Sequence, residues 1–322
     1  MSTALAIIEA PSLPATVVVA EMEAARDFAL NEKAEATRRA YRGDFAAFTT
    51  WCRARGLVPL PASTDTVAAF LAAQATGGAK ASSIGRRCAS IRYAHRLAGH
   101  EPPTNAESVK AVMRGIRRTI GTAKEQKAPA TAHRITVMLA GIPTDTLTGL
   151  RDRALLLLGF AGAFRRSELV GLQVADLTDA EGGIRVLIRH SKTDQEGQGQ
   201  EIAIPHGHSL RPVAAVRAWL EAAGITDGPI FRPILKGSRV QPEALSDRSV
   251  ADIVKKHAER AGLDPAEYAG HSLRAGYLTS AAEAGANVFK MMEVSRHKSI
   301  DTLRGYVRRS DLFRDHSGAS FL

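Results

Sequence analysis

Apolar residues recur at helical spacing along most of this chain, and one stretch, Thr178–Ile204, departs from that spacing. Within it, Ile184–Ile188 and Glu201–Ile204 alternate as strands do, and the polar segment Ser191–Gly199 between them suits a hairpin loop. Aromatic residues are scarce, at 5%, which favours helices over sheets. The sequence therefore predicts a mainly α fold with a small antiparallel β-sheet in the C-terminal half.

The chain is long enough, at 322 residues, for two domains of ordinary size. Residues 1–16 contain two prolines and suit a flexible N-terminal arm. Residues 17–122 have the pattern of about five helices. The polar segment 123–131 lacks apolar periodicity, which is typical of an interdomain linker. Residues 132–322 are then expected to form a second domain that ends in a C-terminal tail.

The helical pattern divides at proline and glycine positions. Ser63 or Thr64 is expected to cap the second helix of the series. The helices predicted within the two domains are Ala36–Arg55, Thr66–Gln74, Ser82–Leu97, Ala106–Ile120, His133–Ala140, Leu150–Ala163, Arg166–Leu172, Leu210–Ala223, Ser246–Ala261, His271–Ala284, Val288–Val294 and Thr302–Val307.

Cysteine usage and the first residues bear on the compartment. Cys52 and Cys88 lie in helical patterns beside apolar residues, so we expect buried free thiols rather than a disulfide, which fits a reducing cytoplasm. The first ten residues lack a basic start, which argues against a secretory signal. The longest apolar run, Ala154–Phe164, is too short for a bilayer, which takes roughly 20 residues.

The net charge of +10 and the pI of about 9.9 suggest a polyanionic partner, although scattered surface charge is the alternative. Basic residues concentrate on the predicted helices Ser82–Leu97 and Ala106–Ile120, where Glu101 and Glu107 are the neighbouring acids. Several of these residues lie three or four positions apart, so they share a helix face. Either a DNA-contacting face or a solvated face is consistent with this spacing. The candidate DNA-binding residues are Arg86, Arg87, Arg114, Arg117 and Arg118.

The C-terminal half also contains the polar groups needed to break a phosphodiester without a metal. Arginine presents a planar fork of donors to phosphate oxygens, histidine and lysine move protons, and a tyrosine hydroxyl can attack phosphorus. The groups concerned are Arg165-Arg166-Ser167-Glu168, Lys192, His271-Ser272-Leu273-Arg274, His297 and Tyr306.

The order and spacing of these groups resemble the tyrosine recombinase, or phage integrase, family. Arg274 follows His271 by three positions and Tyr306 follows His297 by nine, and both spacings fit the family pattern. The motifs extend from Arg165 to Tyr306. The N-terminal half resembles the family more weakly, through its helical pattern and basic charge. The resemblance implies a helical core-binding domain followed by an α+β catalytic domain.

The resemblance also implies a role for each motif residue. Arg165 and Arg274 are expected to clamp the scissile phosphate, and Glu168 to hold the arginine fork in place. Arg166 competes with Arg165 for the first role, but the family register, three positions before Glu168, selects Arg165. Tyr306 is the expected nucleophile. Its rivals on residue type alone are Tyr41, Tyr93, Tyr268 and Tyr277.

The remaining motif residues are expected to move protons or bind phosphate. His271 is expected to assist the tyrosine, Lys192 to protonate the leaving 5′ oxygen, and His297 to hydrogen-bond the phosphate. Its neighbours Arg296 and Lys298 are expected to add phosphate contacts. Energy conserved in a 3′-phosphotyrosine makes ATP and a metal unnecessary, and His206 and His208 lack further ligands, so no cofactor is expected.

The expected function is site-specific recombination of double-stranded DNA, with two protomers at each site and four in the assembled complex. The tail after Tyr306 is expected to dock into a neighbouring protomer. A type IB topoisomerase shares the chemistry, and a non-catalytic DNA-binding protein with idle motifs is the alternative from another class.

Overall fold

The computed structural model describes residues 15–30, 32–123, 126–191, 194 and 198–310. Two compact units divide the chain, Met1–Lys124 and Glu125–Leu322. The predicted arm lies largely outside the described residues, and its last two residues already belong to the first helix. The predicted C-terminal tail beyond residue 310 also lies outside them. Among the described residues no helix has the length and apolar character to cross a membrane.

The described part of the N-terminal unit is helical and encloses its own apolar core. Phe48 and Phe70 meet edge to face in that core, with ring centroids 5.0 Å apart. Ser63 caps the third helix by accepting the Thr66 N–H at 3.1 Å. The expectation of free buried thiols is confirmed. The α-helices of the N-terminal unit are α1 (Ala15–Leu30), α2 (Glu35–Arg53), α3 (Thr64–Thr76), α4 (Ala81–Leu97) and α5 (Glu107–Ile120).

The C-terminal unit combines helices with two small antiparallel sheets, and the larger sheet contains the hairpin that the sequence predicts. The helices are α6 (Ala132–Ala140), α7 (Leu147–Ala161), α8 (Arg166–Gly171), α9 (Pro212–Ala222), α10 (Asp247–Arg260), α11 (Ser272–Glu283), α12 (Val288–Ser295) and α13 (Ile300–Ser310). The strands are β1 (Leu177–Ala180), β2 (Gly183–Ile188), β3 (Gln200–Pro205), β4 (Ile234–Leu235) and β5 (Arg239–Val240).

The predicted hairpin is strands β2 and β3, which pair from Gly183↔Pro205 to Ile188↔Gln200. The sequence missed β1, which extends this sheet, and the two-residue pair β4–β5. Neither shows useful alternation, because β1 buries no residue on either face and β4 and β5 are too short to have a period.

Helix α7 is the centre of the C-terminal core, and its leucines Leu155–Leu158 are at most 4% exposed. Every residue from Ala154 to Phe160 is apolar and buried, which is the pattern of a helix segment enclosed by its neighbours. Its buried Asp152 accepts hydrogen bonds from Arg151 and lies 2.7 Å from His257 on α10. A buried carboxylate is tolerated only with such partners, so this cluster holds α10 against α7.

Helix α11 is held against the chain segment that leads into α6. Ala130 donates its N–H to the Ser272 carbonyl at 2.9 Å, and Ala132 donates to the Ser280 hydroxyl at 2.9 Å. Gly276 faces this segment so closely that an added Cβ would collide with the backbone of Ala130. The position of α11 therefore depends on the absence of a side chain at Gly276.

Replacing Gly276 with alanine is expected to lower the free energy of unfolding by about 1–3 kcal/mol, the usual cost of overpacking a core. Gly171→Ala is the matched control, because a Cβ there meets no described atom within 4 Å. Denaturant unfolding of both variants measures the difference. Equal stability of the two variants would contradict the close approach at Gly276.

Candidate active site

Packing between α11 and α13 brings Tyr306 to His271. His271 stands at the N-terminus of α11, and its Nε2 lies 3.3 Å from the Tyr306 hydroxyl oxygen. Tyr306 packs on a small apolar cluster formed by Leu278, Met291 and Leu303. This cluster fixes α13 beside α11, so residues 35 positions apart come within reach of a proton transfer.

Arg165 caps the start of α8 and is held there by Glu168. Its guanidinium donates to one carboxylate oxygen of Glu168 at 2.5 Å, and its backbone N–H donates to the other at 2.9 Å. Glu168 is buried, whereas 19% of the Arg165 side chain is exposed. Arg166 instead lies 3.6 Å from Asp247, and its side chain is 44% exposed. Of the two adjacent arginines, Arg165 is thus the one bound to the buried carboxylate.

Arg274 lies almost fully buried at the centre of this cluster. It donates to the Ala163 carbonyl at 2.7 Å, and its second terminal nitrogen lies 3.2 Å from His297 Nε2. The Ser295 hydroxyl donates to the Met291 carbonyl, so its oxygen accepts from His297 Nδ1 at 2.8 Å. His297 therefore carries its proton on Nδ1 and presents Nε2 as an acceptor to Arg274.

The charge balance of the cluster is positive. Burial first, and then the nearby cations Arg165 and Arg296, lower the pKa of Arg274 to about 9. Burial, followed by the charges of Arg274 and Arg165, lowers the pKa of His297 to about 4. Displacement of water, together with Arg274 and Arg165, also lowers the pKa of His271. At neutral pH the arginines are charged and both imidazoles neutral, which suits a site for an anion.

Glu168 remains ionised inside this cluster. Burial is the strongest single influence and raises its pKa, but Arg296 and Arg165 together outweigh it and hold the pKa below its ordinary value. The sequence predicted phosphate contacts from Arg296, and that prediction is wrong. The Arg296 side chain is 1% exposed and donates to Glu168 at 2.7 Å. No sequence pattern separates Arg296 from Lys298, because both are long cations beside His297, yet Lys298 is exposed.

Lys192 lies outside the described residues, and the structure describes only its neighbours. Ser191 and Asp194 exchange backbone hydrogen bonds of 3.3 and 3.1 Å. The Asp194 carboxylate accepts the backbone N–H groups of Gln198 and Gly199 at 3.1 and 2.8 Å. Ser191, Asp194 and His297 line one groove, so the described parts of the hairpin loop lie beside the histidine.

The arginines singled out in the N-terminal unit differ in their surroundings. Arg86 makes a two-pronged ion pair with buried Asp44 of α2, at 2.7 and 3.1 Å, and Arg87 hydrogen-bonds Gln74. Arg114 pairs with Glu107 at 2.5 Å. The sequence placed no acid beside Arg86, because Asp44 is far away along the chain. The remaining two candidates, Arg117 and Arg118, are exposed near the end of α5.

Comparisons with known proteins agree with this geometry. Residues 130–312 match the model of the phage integrase family, and residues 27–101 match that of the phage integrase N-terminal SAM-like domain. The chain is 41% identical over 291 residues to an integrase/recombinase xerD homolog of Selenomonas ruminantium, covering 88% of this chain and 85% of that protein.

Solved structures show the same fold at low identity. The Tn1549 transposon integrase in complex with transposon right end DNA has a TM-score of 0.60 at 16% identity, covering 90% of this chain and 97% of that one. A lambda integrase dimer bound to a COC′ core site has a TM-score of 0.58 at 19% identity, covering 90% and 75%. The family match covers more than half of the sequence and favours recombination over the alternatives left open. The chain belongs to the phage integrase family, the tyrosine recombinases, which cleave and rejoin DNA strands through a covalent phosphotyrosine.

Proposed function

We propose that Tyr306 is the nucleophile of this recombinase and that His271 accepts its proton. The distance of 3.3 Å between the Tyr306 oxygen and His271 Nε2 carries this proposal. An ordinary phenol with a pKa near 10 is only about 0.1% ionised at pH 7, so it needs a base. The lowered pKa of His271 leaves its imidazole neutral and able to act as that base.

The proposed reaction exchanges one phosphoester bond for another. The Tyr306 oxygen bonds to phosphorus, the bond from phosphorus to the 5′ oxygen breaks, and Lys192 protonates the leaving oxygen. A 5′ hydroxyl from a partner strand reverses these steps and releases the tyrosine. The assignment of Lys192 follows from the family pattern and is supported by the groove that joins the hairpin loop to His297.

Arg165 and Arg274 are the proposed clamp for the non-bridging oxygens. The two guanidinium groups lie near each other, because the charge of Arg165 adds to burial in lowering the pKa of Arg274. Fixed cations in a water-poor site stabilise developing negative charge more than the same groups do in water. His297 completes the clamp, once Arg274 turns from its ring nitrogen to the phosphate.

The proposed substrate is double-stranded DNA carrying a recombination site. Residues 17–122 form the proposed core-binding domain, 123–131 the linker and 132–322 the catalytic domain. The solved dimer of lambda integrase on its core site supports two protomers at each site, and four protomers across two sites would complete the assembly. We place this activity at the nucleoid, in the cytoplasm.

Replacing Tyr306 with phenylalanine is expected to abolish covalent protein–DNA adduct on a nicked suicide substrate, because the attacking oxygen is removed. DNA affinity should stay unchanged. Tyr277→Phe is the matched control, since Tyr277 is a partly buried tyrosine that packs against Phe160. A full yield of adduct from the Tyr306 variant would transfer the role to another tyrosine.

The rate of cleavage is expected to stay level from pH 8 down to about 6.5, the ordinary pKa of histidine, and to fall only below it. His271 must be neutral to act as base, and its lowered pKa extends the neutral range to lower pH. Single-turnover cleavage across pH 5–8 measures the profile. His271→Gln should remove the acid limb, and an apparent pKa above the ordinary value would contradict the assignment.

Replacing both Arg117 and Arg118 with alanine is expected to weaken DNA binding. The slope of the logarithm of the binding constant against the logarithm of salt concentration should become shallower by about 1.8, or about 0.9 for each phosphate that the protein no longer neutralises. Arg86→Ala should change this slope less, because Arg86 is already neutralised by its ion pair with Asp44. Binding measured against salt concentration tests both expectations. An unchanged slope in the double variant would assign this face to solvent.

A further inference from the structure

We propose that Arg296 is a positioning residue that sets the geometry of both phosphate-clamping arginines. It acts on Arg165 through the Glu168 carboxylate and on Arg274 through the Ala163 carbonyl. This inference rests on the proposed function of Arg165 and Arg274, and it assigns Arg296 a role without any contact to DNA.

The hydrogen bonds of Arg296 connect the two clamp residues. Its guanidinium donates to one Glu168 oxygen at 2.7 Å, and Arg165 donates to the other oxygen at 2.5 Å. Arg296 also donates to the Ala163 carbonyl at 3.0 Å, and Arg274 donates to the same carbonyl at 2.7 Å. One buried guanidinium thus shares an acceptor with each of the two arginines.

The partners of Arg296, rather than its burial, exclude a direct role in binding substrate, because Arg274 is at least as buried. The Arg296 side chain is 1% exposed, and its guanidinium carbon lies 5.2 Å from the centre of the Phe164 ring. A further hydrogen bond of 3.0 Å reaches the Gly162 carbonyl. The Val294 carbonyl is a fourth acceptor, and these four acceptors and an aromatic face fix the fork, which leaves it unable to swing out towards a phosphate.

The backbone at both ends of this connection is unusual. Arg296 has φ +57° and Ala163 has φ +45°, a region that residues with a Cβ rarely adopt. Such conformations persist where the surrounding structure determines them. Arg296 also ends α12, and His297 follows it directly, so the same anchor sets the position of the third clamp residue.

Arg296→Met tests the proposal, since methionine occupies a similar length of space without donors. Cleavage of a nicked suicide substrate by saturating protein is expected to slow by about 10- to 100-fold, the usual effect of losing a group that orients an active residue. Affinity for the same DNA should change by no more than about twofold. In an Arg165→Ala background, Arg296→Met should cause a smaller loss than it does alone, because only its effect through Ala163 on Arg274 and on the adjacent His297 then remains.

Two further variants keep the test decisive. Arg296→Lys retains the charge but cannot bridge Glu168 and Ala163 with a planar fork, so an intermediate loss is expected. If the Arg296→Met protein does not unfold cooperatively, Arg296→Lys replaces it in the comparison with the Arg165→Ala background. Arg217→Met is the matched control, because Arg217 forms an exposed ion pair with Asp179. The Arg217→Met protein should cleave at the wild-type rate.

The outcomes separate this inference from the proposed function. Multiplicative losses in the Arg165→Ala/Arg296→Met double variant would overturn the inference alone. A folded Arg296→Met protein that cleaves at the wild-type rate would do the same. An Arg165→Ala protein that cleaves at the wild-type rate would overturn the proposed function, and the inference with it.

Discussion

The buried carboxylate of Glu168, shared between Arg165 and Arg296, is the interaction on which the site depends. A carboxylate taken out of water is strongly unfavourable unless charged donors surround it. Here two guanidinium groups and one backbone N–H supply that compensation. Since α8 carries Glu168 and the end of α12 carries Arg296, the same interaction also joins two elements that are far apart along the chain.

The stoichiometry of this cluster explains why it favours an anion. One buried carboxylate pairs with two arginines, and burial, followed by the charges of these two arginines, lowers the pKa of Arg274 to about 9. Arginine keeps its proton at neutral pH even after such a shift, so the cluster retains positive charge. A phosphodiester brings the missing negative charge, and its bond-breaking transition state spreads that charge over oxygens that arginine forks can reach.

Histidine serves a different purpose in the same surroundings. Burial and neighbouring cations lower the pKa values of His297 and His271 and keep both imidazoles neutral, so in the proposed reaction they contribute proton transfer and hydrogen bonding rather than charge. The protein thereby separates two tasks that a protonated histidine would combine. In the proposed reaction the arginines neutralise the phosphate, and an uncharged imidazole beside Tyr306 acts as the base.

Much of the secondary structure could be predicted because local sequence carries it. The helical period marks the helices of both units to within a few residues, and the alternation around Ile184 and Ile202 marks the β2–β3 hairpin. Strand β1 and the pair β4–β5 were missed because their partners, rather than their own pattern, create them. Arg86 shows the same limit for charge, because its partner Asp44 comes from another helix.

The sequence by itself determined the reaction type, since residue identity, order and spacing specify which groups are available to attack and to hold a phosphodiester. Tertiary structure alone decided which of several similar cations are buried and which acids they pair with. Arg165 binds the buried Glu168 whereas the adjacent Arg166 faces solvent. Arg296 is sealed inside whereas Lys298, two positions later, is exposed. Burial and pairing depend on what the rest of the fold places around each side chain, and no local pattern encodes that.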